Sequence, residues 1–89
     1  MENIIHSVNE LVKNVKDPKI TVFIGSSDEY YSDMCSDDLI YVWINYPINE
    51  KLSGEKVIAK FESFLEAETF AKKFIGTVEE SGNIKVFAA

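Results

Sequence analysis

Residues 39–46, Leu-Ile-Tyr-Val-Trp-Ile-Asn-Tyr, carry apolar side chains on both alternating faces of an extended chain. Leu39, Tyr41 and Trp43 fall on one side, and Ile40, Val42, Ile44 and Tyr46 on the other. A strand with no wet face has to be covered on both sides, so this segment is expected at the centre of a sheet. Pro47 has no N–H to give to a ladder and ends the run.

The flanking segments supply that sheet and its cover. Residues 3–15 repeat Ile4, Val8, Leu11 and Val15 at helical spacing, widened by Ile5 and Val12, while His6, Glu10, Lys13 and Asn14 form a polar face. Asp17-Pro18 stops this helix. Residues 19–24 alternate, with Ile20, Val22 and Ile24 on one side, and read as a strand, after which Gly25 opens the acidic loop. Residues 48–55 read as a polar connection with Ser53-Gly54 as its turn. Residues 56–62 form a third strand with Val57, Ala59 and Phe61 inward. Ser63 and Glu66 have capping-box spacing, which opens a second helix through Ala67, Phe70, Ala71, Phe74, Ile75 and Val78. That helix ends either at Gly76 or at Ser81 with Gly82 as a left-handed cap, and the longer form is favoured. Residues 84–88 make a last short strand. The expectation is one α+β domain over residues 1–89, ordered α-β-β-β-α-β. Its sheet is expected to be mainly antiparallel, with helices packed on one face.

Charge narrows the function classes. Residues 26–38 hold five carboxylates (Asp28, Glu29, Asp33, Asp37 and Asp38) and no base, so they carry −5 of the net −6. All nine basic residues are lysine, so no arginine fork is on hand for phosphate or carboxylate. An acidic chain is a poor direct ligand for nucleic acid or for an anionic membrane surface. The single Cys35 allows no intrachain disulfide, and no apolar run approaches the ~20 residues of a membrane span. The first residues lack the basic and apolar parts of a secretory signal, so a cytoplasmic location is the default expectation.

No catalytic constellation is visible. Asp28, Ser32, Asp33 and Asp37 lack the spacing of a calcium loop, and the segment has no internal glycine. Carboxylates around Cys35 disfavour its thiolate. One histidine and one cysteine do not make a zinc site. The expectation is therefore a non-enzymatic protein with neither metal nor cofactor. Its candidate partner-binding residues are Asp28, Glu29, Tyr30, Tyr31, Asp33, Asp37 and Asp38. Clustered carboxylates can mimic backbone phosphates toward a basic cleft, and tyrosine rings can enter grooves that otherwise take bases. The bland alternative is a solvated loop. A second functional reading is an adaptor or homodimerising module that docks through the apolar face of the Trp43 strand.

In size, order and acidity the chain resembles the small phage anti-CRISPR proteins. One group of these has an amphipathic helix, then a three-stranded antiparallel sheet, then helices. The corresponding stretches here are residues 3–15, 19–62 and 63 onward. In that group, carboxylates occupy the site of an RNA-guided nuclease that reads the DNA motif beside the target. The resemblance implies that role for Asp28, Glu29, Asp33, Asp37 and Asp38. It also implies a CRISPR effector nuclease as partner, in the host cytoplasm. Two features depart from the group: the carboxylates sit in one long connection after the first strand, and a fourth strand follows the second helix.

Overall fold

A computed structural model of the chain describes residues 1–26 and 38–89. The order is α1 (Glu2–Val12), β1 (Lys19–Ser26), β2 (Ile40–Pro47), β3 (Ser53–Phe61), α2 (Phe64–Ser81) and β4 (Lys85–Ala88), the expected α-β-β-β-α-β. Among the described residues the strands form one sheet in the order β3-β2-β1-β4. The doubly apolar strand β2 is interior, as its sequence requires. It pairs antiparallel with β1 on one side and with β3 on the other.

The sheet is mixed, because β4 runs parallel to β1. The cause is α2. Its 18 residues rise about 27 Å, enough to carry the chain back along the sheet before the last strand begins. A strand entered after such a crossover runs parallel to the one that preceded it.

Both helices contribute to one core on one face of the sheet. Val8 and Val12 of α1 and Ala67, Ala71, Phe74 and Val78 of α2 cluster with Ile20, Val22, Val42, Ile44 and Ile84. Strand alternation therefore points Ile20, Val22, Ile24, Val42 and Ile44 at the helices. Phe23, Tyr41 and Trp43 lie on the opposite face.

α1 ends three residues earlier than the apolar spacing suggests. After Val12 the chain makes one tight turn, with the Val15 N–H bonded to the Val12 carbonyl at 3.0 Å. Asp17 then takes φ 52°, a left-handed conformation that aspartate tolerates and that redirects the chain into Pro18 and β1. β1 runs two residues past Ile24. Gly25 is a buried strand residue opposite Tyr41 and not the start of a loop.

Ser53-Gly54 is strand as well, which corrects the expected turn. The reversal lies at residues 48–52, where the Asn49 side-chain oxygen accepts from the N–H groups of Lys51 and Leu52 at 2.8 and 2.9 Å. This is an aspartate-type turn made by asparagine. Gly54 instead has a close cross-strand neighbour. Tyr46 pairs with it across the ladder, and a Cβ at Gly54 would sit 2.9 Å from the tyrosine ring.

β3 also breaks the simple alternation. Ala59 pairs with Val42 but Val57 pairs with Trp43, so Ile58 is an extra, bulged residue. Ile58, Ala59 and Phe61 pack onto the helix-side core. Val57, expected inward with them, falls opposite Trp43 on the other face.

α2 takes its longer form. Ser63 caps it, its hydroxyl accepting from the Glu66 N–H at 3.2 Å, and Gly82 closes it at φ 74° with its N–H bonded to the Glu79 carbonyl. Among the described residues no return bond joins the Ser63 N–H to the Glu66 carboxylate, so only half of the capping box forms. Replacing Ser63 with alanine should cost about 1 kcal/mol in urea unfolding, and an unchanged midpoint would show that the cap carries no stability.

Candidate functional site

The acidic segment leaves the sheet at Ser26 and returns before Ile40, and these two residues are direct cross-strand partners. Both ends of the connection are therefore fixed side by side by the antiparallel ladder of β1 and β2. Of the seven candidate residues, Asp38 lies in the described part. It is exposed and adopts φ 60°. Asp28, Glu29, Tyr30, Tyr31, Asp33 and Asp37 lie outside the described residues, as does Cys35.

Phe61 of β3 pairs with Ile40, so β3 delivers its last residue to the same end of the sheet. Glu62 and the first turn of α2, with exposed Glu66, follow directly. Asp38 is the described carboxylate of that segment, and Glu62 and Glu66 bring two more to the same end of the sheet. Lys60 brings a cation to this end. Its ammonium lies 5.0 Å from the centre of the Tyr41 ring, on the helix-free face.

The other sequence candidates fall elsewhere. His6 is exposed on α1. On the same helix Glu10 bonds Lys13 at 3.0 Å. The hydrogen bond and charge of that lysine hold the Glu10 carboxyl below its ordinary value. Among the described residues no three histidine, cysteine or carboxylate side chains come together as metal ligands. Among them, too, no helix is long and apolar enough to cross a membrane. An open groove of about 680 Å³ separates the α1–β1 turn from the β2–β3 hairpin, at the end of the sheet away from Ser26. Its walls mix polar and charged residues, among them Asn14, Lys16, Asp17, Asn49 and Glu50, with the apolar Val15, Pro47 and Ile48.

The Trp43 strand does not offer the open apolar surface that an adaptor reading needs. Tyr41 is 1% and Trp43 7% exposed, although the helices lie on the other face. Phe23 stacks on Trp43 with ring centres 5.5 Å apart and planes within 9°. Among the described residues, Phe87 of β4 is an accessible aromatic on this side, 51% exposed.

One feature went unread in the sequence. β4 pairs with Lys19–Val22 only, so half of β1 lacks a neighbour on its outer side among the described residues. A groove of about 300 Å³ between that half-strand and α2 is lined by Val22, Ile24, Phe64, Ala71 and Ile75. The available signal was the pair Phe64-Leu65 directly after the cap, too apolar for a solvated first turn. No family model, curated protein or solved structure matches the chain.

Proposed function

We propose that this chain is a non-enzymatic binding protein that presents residues 26–38 to a basic cleft on a protein partner, competing there with a polyanion. The observation that carries the reading is the pairing of Ser26 with Ile40, which anchors both ends of a −5 segment to a sheet. Glu62 and Glu66 add negative charge at the same end of the sheet. Such a surface attracts a basic site over long range and gives fast, salt-sensitive association. Resemblance in order, size and charge to the anti-CRISPR proteins makes an RNA-guided nuclease the first partner to try. Tyr30 and Tyr31 would supply the aromatic anchors that such interfaces use.

The test compares the native chain with a variant carrying D28N, E29Q, D33N, D37N and D38N. The native chain should block target-DNA binding by a guide-loaded nuclease, or retain a basic protein from host lysate. That association should hold at about 0.05 M salt and disappear by about 0.5 M. The variant should lose the association by a hundredfold or more, on the order of 3 kcal/mol, while its unfolding midpoint stays the same or rises. Undiminished binding by the variant overturns the reading. The adaptor reading predicts association nearly indifferent to salt, and the burial of Tyr41 and Trp43 leaves it less surface to use.

A further inference from the structure

We propose that α2 has two alternative ends, Gly82 and Gly76, and that the stretch between them is a conformational switch that opens while the rest of the fold stays in place.

Gly76 divides the helix. Ahead of it Ala67, Ala71 and Phe74 are buried, and beyond it the helix buries Val78. Gly76 itself is exposed, and a Cβ there would meet nothing within 4 Å, so no neighbour calls for glycine at this position. Inside a helix glycine weakens the helical state about four- to fivefold relative to alanine. Just past a helix end the same residue is favoured, because it takes the left-handed conformation without penalty. Glycine at this place suits an end and not an interior.

Charge points the same way. The C-terminal end of a helix attracts cations and repels anions. In the long form the last turn carries Glu79 and Glu80 and no base. A helix that stopped before Gly76 would have Lys72 and Lys73 in its last turn instead. The Thr77 hydroxyl donates to the Lys73 carbonyl at 2.8 Å, so one carbonyl of that shorter turn already has a side-chain donor.

Burial holds the long form. Val78 is 1% and Ile84 5% exposed, and both belong to the core. The Ser81 hydroxyl donates to the Val78 carbonyl at 2.6 Å, and Gly82 supplies the cap. Beyond these contacts the helix end is loosely seated. An open groove of about 400 Å³ separates Glu79 and Gly82 from Lys85 and Phe87 of β4. Two buried aliphatic side chains thus work against backbone propensity and end charge, which makes the short form an accessible minor state. In that form residues 77–84 become a connection, Val78 leaves the core, and β4 is held by its ladder to β1. Ala67, Ala71 and Phe74 keep the first part of α2 in place, so the acidic end of the sheet is undisturbed. The switch does not rest on the function proposed above. Ionic strength controls it, since screening relieves the repulsion at Glu79 and Glu80 and favours the long form.

The test is hydrogen exchange of the native chain, followed by NMR in urea below the unfolding midpoint. After correction for intrinsic rates, the amides of Val78 to Ser81 should exchange as a group. They should do so at least about tenfold faster than those of Phe74, Val42 and Ile44, with a shallower dependence on urea. Gly76→Ala should slow the group about tenfold or more, because alanine favours a helix interior and resists the left-handed cap. Amides that open with the whole fold should slow about fourfold in the same variant. Glu80→Lys should slow the group about three- to tenfold at low salt and less at about 0.5 M. Both substitutions favour the helix, so neither variant is at risk of failing to fold. A single urea dependence shared by Phe74 and the group would mean that the end opens only with the whole fold, which overturns the switch. Protection that declines gradually toward Ser81, with no step at Gly76 and no response to Gly76→Ala, would be ordinary fraying and overturns it too.

Discussion

Truncating Phe74 to alanine should destabilise the fold by about 3–5 kcal/mol in urea unfolding, the upper part of the range for single core changes. Phe74 is fully buried, at the middle of α2, where the helix crosses the sheet. Its ring stands 6.3 Å from that of Phe70, which in turn meets Phe61 of β3 at 5.3 Å. Those rings, with Val42 and Ile44 beneath them, join the helix layer to the central strands. Alanine removes the ring and leaves a cavity that a helix fixed at both ends cannot close. A domain of this size has about 5–13 kcal/mol of total stability, so the variant should be folded only marginally at room temperature. Phe74→Leu keeps most of the volume and should cost about 1–2 kcal/mol, which separates cavity formation from general intolerance of change. A loss below about 1 kcal/mol for Phe74→Ala would mean that α2 is not seated as described.

The elements were legible where one periodicity dominated. Ile20, Val22 and Ile24 gave a strand and its buried side at once, and Ser63 and Gly82 marked both ends of α2 by their capping chemistry. Errors arose where a residue type has two uses. Gly54 reads as a turn residue, yet it is small because Tyr46 lies across it. Val57 and Ala59 share a parity in sequence, and the bulge at Ile58 sends them to opposite faces. A bulge is set by how two strands meet, which neither strand encodes alone.

The parallel fourth strand was in principle readable. Strand, long helix and strand in succession form a crossover unit, and such units place their strands parallel. What β4 does for the sheet was not readable, because its register on β1 decides which residues it pairs. Its register sets Lys85 opposite Lys19 and Ala88 opposite Val22. The charge of residues 26–38, by contrast, is a property of sequence alone. The structure adds where its ends are fixed: at Ser26 and just before Ile40, on neighbouring strands.

Trp43→Ala should cost about 3–5 kcal/mol, as much as Phe74→Ala, although Trp43 lies on the face without helices. It sits on the central strand, directly opposite Phe23 on one side and Val57 on the other. Its near-parallel stack with Phe23 adds about 0.5–1.5 kcal/mol beyond the area that each ring buries. Tyr41, two residues earlier on the same face, is buried as well, so this side behaves as a second small core. Trp43 is the single tryptophan, so its emission reports on this face alone. Native emission should be blue-shifted and poorly quenched by acrylamide, and both properties should vanish in the unfolding transition that circular dichroism reports. Trp43→Phe keeps a stacked ring and should lose less than half as much stability as alanine. The outcome also bears on how the protein meets a partner. If Trp43→Ala costs less than about 1 kcal/mol and quenching is ready, the face is open and association through it becomes the stronger reading. If the cost is near that of Phe74→Ala, the central strand is committed to folding on both sides. The acidic end of the sheet then remains as the proposed recognition surface.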